Sequence, residues 1–219
     1  MQIDIFTLVP SAFAWMCERR PLAAVLGNGL DLRLFNYRDT TPLSAGQVDD
    51  SPYGGGAGMV LRVDVVAAAL EAVYGTSPEW PVIALTPQGR PLDQPLVEEL
   101  ATEPRLTLLS ARFEGFDERI VEHFCNDAIS VGPYVLSGGE IPAMVVLDAV
   151  ARRLPGALGS EESGLIESFS EELEGGLEYP QYTRPAEFRG WAVPELLLSG
   201  NHGRIERWRR EQSRLRSEP

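Results

Sequence analysis

Short apolar runs alternate along the chain with longer stretches whose apolar residues recur at helical spacing. Ile3–Leu8, Leu32–Phe35, Val82–Leu85, Leu106–Leu109 and Ala128–Val131 are nearly continuous in apolar character, the pattern of strands covered on both faces. Val63–Tyr74, Leu96–Leu100 and Glu118–Phe124 set apolar side chains three and four residues apart and read as helices. Ile141–Leu154 is the longest helix candidate, with Pro142 tolerated in its first turn and Pro155 stopping it. Strands and helices in alternation predict an α/β fold with a mainly parallel sheet.

Past Pro155-Gly156 the pattern changes. Gly159–Tyr179 carries seven glutamates and no basic residue, with glycine and serine filling much of the rest, which is the composition of a flexible acidic linker. The tail turns basic: from Asn201 to Pro219 six arginines outnumber three glutamates. Arg204–Arg216 is made of good helix formers and predicts one helix with a basic face. The net charge of −13 argues, on its face, against a polyanionic partner. The segregation of charge reverses that argument, because the tail is +3 within an otherwise acidic chain.

At 219 residues and 44% hydrophobic content the chain can build one substantial core and a small second domain. All 19 basic residues are arginine, so chemistry that needs a P-loop, Schiff-base or kinase lysine is excluded. Cys17 and Cys125 make no disulfide framework, and a reducing cytoplasm is expected. The longest apolar runs, such as Met144–Leu147, fall far short of the roughly 18 residues of a spanning helix, and no membrane association is expected. Gln2–Pro10 is short and carries Asp4, so it does not read as a secretory signal.

Three glycine-rich turns follow three predicted strands. They are Thr86-Pro87-Gln88-Gly89-Arg90, Ser110-Ala111-Arg112-Phe113-Glu114-Gly115, and Val131-Gly132-Pro133-Tyr134-Val135-Leu136-Ser137-Gly138-Gly139-Glu140. Loops beyond the carboxyl ends of parallel strands are where α/β sheets bind ligands, and glycine lets a ligand approach the backbone. None matches the G-x-G-x-x-G dinucleotide fingerprint, and singly each reads as an ordinary turn. His123 and His202 lie far apart in sequence, and neither H-E-x-x-H, C-x-x-C nor G-x-S-x-G occurs, which disfavours zinc sites and a serine nucleophile elbow. Cys17 reads as a core residue and Asp49-Asp50 as a solvated loop, so no metal site is assigned.

Together the loops resemble those of the bacterial tRNA (guanine-N1)-methyltransferase family, the TrmD type. The resemblance rests on Val48-Asp49-Asp50-Ser51-Pro52-Tyr53-Gly54-Gly55-Gly56-Ala57-Gly58-Met59, on Leu85-Thr86-Pro87-Gln88-Gly89-Arg90, and on Arg112-Phe113-Glu114-Gly115-Phe116-Asp117-Glu118-Arg119. It rests also on Tyr134 through Ala143, Tyr182-Thr183-Arg184-Pro185 and Leu198-Ser199-Gly200-Asn201-His202. It implies a SPOUT-class α/β domain with a deep trefoil knot over 1–158, an acidic flexible linker over 159–180, and a small helical tRNA-binding domain over 181–219 that looks truncated. It implies S-adenosylmethionine as methyl donor, with transfer to N1 of the guanosine just 3′ of the tRNA anticodon. It implies a homodimer whose active site is shared between subunits. A magnesium requirement is compatible with the resemblance, with no ligand set identifiable.

Carried over residue by residue, the donor is held by Leu85, Thr86 and Pro87, by Ala111, Phe113 and Glu114, and by Val131, Gly132, Pro133, Tyr134, Val135, Leu136, Gly138 and Gly139, with Pro142 following. Arg152 matches the arginine that stabilises charge on guanine O6, a task suited to a guanidinium that is always charged and forks its donors. Its bland alternative is a helix C-terminal arginine favoured by the macrodipole, a role Arg153 could equally fill. Glu167, before Ser168-Phe169, matches the carboxylate that acts as general base, with glutamate where aspartate is familiar. Ala111 stands where the family has glycine, and a methyl group there is expected to crowd the donor or require a backbone shift. Pro133 replaces a usually polar residue, and Thr41–Gln47 lacks basic residues often found there. Two rival readings keep the fold: an RNA-binding paralogue without transfer activity, and a methyltransferase acting on a different RNA.

Overall fold

The apolar runs resolve into strands and helices that alternate as expected. In chain order they are β1 (Gln2–Thr7), α1 (Ala14–Cys17), α2 (Leu22–Val25), β2 (Asp31–Asn36), β3 (Asp49–Asp50), β4 (Val60–Leu61), α3 (Val63–Tyr74), β5 (Val82–Pro91), α4 (Gln94–Thr102), β6 (Arg105–Ser110), α5 (Glu118–Phe124), β7 (Asp127–Ser130) and α6 (Glu140–Ala151). The computed structural model describes residues 1–75, 78–159 and 167–218. It separates into two units, Met1–Leu158 and Gly159–Pro219.

In the first unit five strands form one sheet in the order β2-β1-β6-β5-β7, and every neighbouring pair is parallel. The near-continuous apolar runs are explained by the two faces. Ile3, Ile5, Leu106, Leu108, Ile83 and Ile129 pack with residues of α2, α4 and α6. Phe6, Leu109 and Val82 pack on the opposite face with Val65, Val66 and Leu70 of α3 and Ile120 of α5. Each such side chain contributes about 1.5–3 kcal/mol when fully buried.

One charge lies inside this sheet. Asp4 is fully buried and accepts hydrogen bonds from Arg33 on β2 (2.7 Å twice), Arg105 on β6 (2.7 and 3.2 Å), Tyr74 (2.8 Å) and Gln2 (2.9 Å). The Arg105 guanidinium stacks on Trp80 at 3.6 Å, and Trp80 donates to the Thr107 hydroxyl. The carboxylate is thus bonded to both strands that flank its own.

β5 runs past the expected Leu85 to Pro91. Leu85 and Arg90 both pair with Ile129 of β7, so Thr86–Gly89 is an excursion from which the strand returns to the same neighbour. Leu92 N–H then donates to the Ser130 carbonyl at 2.8 Å. Only glycine fits at 89, since a Cβ there would lie 2.4 Å from the Ile129 nitrogen.

The second unit contains the hairpin β8 (Glu187–Phe188) and β9 (Trp191–Ala192), then α7 (Glu195–Leu198) and α8 (His202–Ser217). The expected basic helix is present, capped by Asn201, whose side chain accepts from the Arg204 N–H. Its inward residues, Ile205, Trp208, Arg209, Gln212 and Ser213, recur at helical spacing. Two expectations need correction. The domain is not purely helical, because the Phe188-Arg189-Gly190-Trp191 turn closes a short antiparallel ladder. The acidic stretch is not a featureless linker over 167–179. Phe169 N–H bonds the Gly176 carbonyl, and Leu177 exchanges hydrogen bonds with Ser217 and Ser213 of α8. These bonds use backbone groups and serine hydroxyls and not the glutamate charges that made the segment read as a flexible acidic linker. Residues 160–166 of that stretch lie outside the described residues.

Candidate functional site

The second and third glycine-rich loops leave the carboxyl ends of β6 and β7, and the first is the excursion of β5, the strand between them in the sheet. The second and third are bonded directly. Gly139 N–H donates to the Ala111 carbonyl at 2.6 Å, and Ser110 Oγ donates to the Gly139 carbonyl at 3.0 Å. A Cβ on Gly139 would lie 2.7 Å from the Ser110 Cα, so glycine is required by close passage of two backbones.

The left-handed backbone of the second loop falls on Phe113, at φ 63°, and not on Ala111. Ala111 is buried, and its methyl packs in the core cluster with Leu109 and Leu61. Of the other predicted donor-binding residues, Leu85 and Gly139 are buried, and Thr86, Val131, Gly132, Leu136, Gly138 and Pro142 are half-buried. Pro87, Phe113, Glu114, Pro133, Tyr134 and Val135 are exposed. Thr86 Oγ1 is hydrogen-bonded to Gln88 within the first loop. Tyr134 folds back over Gly132, with its hydroxyl donating to the Val131 carbonyl at 3.0 Å. The loops therefore present backbone groups and apolar side chains around one end of the sheet, where parallel α/β sheets bind ligands.

Two groups that sequence reasoning did not assign hold this cluster together. Glu140, at the first turn of α6, is 4% exposed. Its Oε1 accepts from Thr7 Oγ1 at 2.9 Å and from Arg112 Nε at 3.2 Å. It joins the ends of β1 and β6 to the start of α6, and a Cβ on Gly138 would strike its other oxygen at 2.6 Å. A carboxylate following two glycines and preceding an apolar helix was the available signal. The second is the end of the Val48–Met59 motif. Glu114 N–H donates to the Met59 carbonyl at 2.9 Å, and Gly58 lies under the Glu114 side chain. That motif is thereby docked on the second loop.

Arg152 follows the last turn of α6 and is exposed. Arg153 forms an ion pair with Glu98 of α4 at 3.4 Å. Glu167 is carried by the second unit, where its carbonyl accepts from Ser170 N–H at 3.0 Å. Burial raises the Cys17 thiol pKa and pushes Cys125 up to about 12, so burial favours the protonated thiol at both positions. Asp50 is engaged by Arg62 at 3.1 Å. Among the described residues no group of three or more His, Cys, Asp or Glu side chains converges on a metal-sized site, and no helix is long and apolar enough to cross a membrane.

Comparison with known proteins agrees with the loop cluster. The profile of the family described as tRNA (Guanine-1)-methyltransferase TrmD matches residues 1–219. The chain is 48% identical to the tRNA (guanine-N(1)-)-methyltransferase of Brevibacillus brevis, over 99% of this chain and 88% of that protein. The same-named protein of Dehalococcoides mccartyi is 48% identical over 99% and 87%. That of Geobacillus kaustophilus is 47% identical over 99% and 88%. A family match along the full sequence, joined to relatives near half identity, shows that the chain belongs to the tRNA (guanine-1)-methyltransferase family of the TrmD type.

Proposed function

We propose that this protein methylates N1 of the guanosine immediately 3′ of the anticodon in tRNA, with S-adenosylmethionine as donor, in the cytoplasm. The observation that carries the reading is the direct bonding of the second and third loops, Gly139 N–H to the Ala111 carbonyl, beside the excursion of β5. Such a cradle of backbone groups suits the donor, and Ala111 is buried with the core cluster beneath it. When bound, S-adenosylmethionine supplies an electrophilic methyl group on a sulfonium centre.

The chain's own residues then have distinct tasks. Leu85–Pro87, Ala111–Glu114 and Val131–Gly139 hold and orient the donor. Glu140 keeps two of these loops in register through Thr7 and Arg112. Glu167 accepts the proton of guanine N1, which is about as weakly acidic as a phenol, so the carboxylate must sit within hydrogen-bond reach of it. Arg152 offers a permanent positive charge to O6 as the proton leaves. Two close passages, Gly89 against β7 and Gly139 against the end of β6, support a chain threaded through its own loop, the trefoil knot of the SPOUT class.

The length of α6 supports a shared site. Its 12 residues span about 18 Å at 1.5 Å per residue, with the loops at one end and Arg152 beyond the other. Arg152 and the donor loops of one chain thus stand toward opposite ends of the helix, which favours a site completed by a second copy. Ile141, Val145, Asp148 and Arg152 form an exposed stripe along the helix. Two copies packed antiparallel about a twofold axis through that stripe bring each Arg152 to the loop end of the other.

The test is methyl transfer to a tRNA carrying guanosine 3′ of the anticodon. Glu167→Gln is expected to bind donor normally and to lose most turnover. Wild-type protein that binds the tRNA and donor yet transfers nothing would refute the proposal, and full activity in Glu167→Gln would refute the base assignment.

A further inference from the structure

The second unit holds a groove of about 560 Å³ between the Tyr179–Arg184 segment, α7 and α8. Tyr182 and Trp208 form part of its wall, their rings 6.5 Å apart and tilted by 49°. Leu197 and Ile205 supply apolar lining, and Arg184 and Arg209 supply cations. The Arg209 guanidinium lies over the Tyr179 ring at 4.7 Å, and its buried Nε has no hydrogen-bond partner among the described residues. Half of the Tyr182 side chain, 49%, remains exposed.

The same combination continues along the rim. Ala186 and Val193 line the groove and are joined by a 2.8 Å backbone hydrogen bond at the base of the β8–β9 hairpin. The hairpin tip exposes Phe188 (53%) and Trp191 (71%). Arg189 and Gly190, both at positive φ, hold these two rings as a cross-strand pair 6.0 Å apart. The Arg189 guanidinium covers the Phe188 ring at 5.1 Å.

We propose that this groove seats an unpaired nucleotide of the RNA substrate, its base stacked on Tyr182, with the hairpin tip offering further stacking faces to the neighbouring unpaired bases. The proposal rests on the methyltransferase reading above and adds where and how the RNA is held. Two features select this occupant. Aromatic rings interleaved with guanidinium planes match a strand that alternates flat bases with anionic phosphates. Charge agrees: residues 181–219 carry eight arginines against five glutamates in a chain whose net charge is −13. A double-stranded stem offers no free base faces, so the groove reads the loop, while the outer arginines of α8 meet phosphates.

The experiment is binding of a fluorescently labelled anticodon stem-loop to the full chain, measured by anisotropy across a salt series. Tyr182→Leu is expected to weaken binding about tenfold or more, the scale of losing one base–aromatic stack, with an unchanged salt slope because no phosphate contact is lost. Tyr182→Phe is expected to bind as wild type. With single abasic nucleotides in the loop, one position should weaken wild type by the same factor and leave Tyr182→Leu unaffected. Circular dichroism and thermal unfolding of each variant control for folding of the second unit.

Unaltered RNA affinity in Tyr182→Leu overturns the proposal, as does a loss that is equal at every abasic position. If polyglutamate binds wild type more tightly than the stem-loop does, and Tyr182→Leu abolishes that binding, the occupant is an acidic peptide and the proposal falls. The two readings fail separately. Wild type that neither binds nor methylates the RNA removes the proposed function, whereas wild type that methylates while Tyr182→Leu binds normally removes only the groove.

Discussion

Asp4 should make the stability of the first unit depend on acid in a calculable way. Burial alone raises its carboxyl pKa, but hydrogen bonds from Arg33, Gln2, Arg105 and Tyr74 outweigh that effect and bring it from 3.8 down to about 2. A folded-state pKa below the unfolded one means that the ionised form is bound more favourably in the native protein. The stabilisation is present above about pH 4 and is lost as the pH falls toward 2. A fall from 3.8 to about 2 corresponds to about 2.5 kcal/mol at pH 7. Asp4→Asn removes the charge and leaves both arginines without their carboxylate, at a cost of about 3 kcal/mol, the lower end for a broken buried pair because the arginines are partly exposed. The assay is urea unfolding at a series of pH values, followed by tryptophan fluorescence, since Trp80 lies against Arg105. Other carboxylates titrate in both proteins, so the difference between wild type and Asp4→Asn isolates this group. That difference should shrink by about 2 kcal/mol between pH 5 and pH 2, with the remainder lost below pH 2. A difference that stays constant with pH would refute the reasoning.

Other outcomes follow from the loop cluster. Gly139→Ala pushes a methyl to 2.7 Å from the Ser110 Cα and should abolish donor binding measured by calorimetry; normal affinity would mean that the close passage is not needed. Glu140→Ala leaves the Thr7 hydroxyl and the Arg112 guanidinium without their acceptor, and should cost about 1–3 kcal/mol in thermal unfolding while weakening donor binding; an unchanged midpoint would contradict it. In a site shared across a twofold axis, inactive Gly139→Ala and inactive Glu167→Gln should complement on mixing. Half the dimers would be mixed, each with one intact site, restoring about a quarter of wild-type activity. No recovery after confirmed subunit exchange would argue that each site lies within one chain.

Much of the fold was legible because burial on both faces leaves a strong local trace. The five strands of the sheet and the helices Val63–Tyr74 and Glu118–Phe124 follow from apolar periodicity alone, since each needs only its own residues to declare which sides meet a core. The basic helix at the end of the chain was equally plain. The return of β5 to β7 after Leu85 was not, because Arg90 and Pro91 look like loop residues until Ile129 and Ser130 lie beside them. The short β8–β9 hairpin was missed because two-residue strands carry no period to detect. The acidic turn at 167–179 was read as linker because its order comes from backbone bonds to Ser213 and Ser217 of α8.

The candidate site divides in the same way. Glycines at 89, 115, 132, 138 and 139, and the motifs around them, mark the three loops and their family from the linear chain alone. Sequence could not say that Ala111 is buried with the core cluster, that Glu140 joins Thr7 to Arg112, or that Gly139 is fixed by Ser110. Periodicity and turn chemistry are properties of neighbours along the chain, so the amino-acid order by itself determined the layers, the loops and the distribution of charge. Contacts across 29 residues, as between Ser110 and Gly139, or across 133, as between Thr7 and Glu140, depend on which strands lie side by side, and only the tertiary structure decided them.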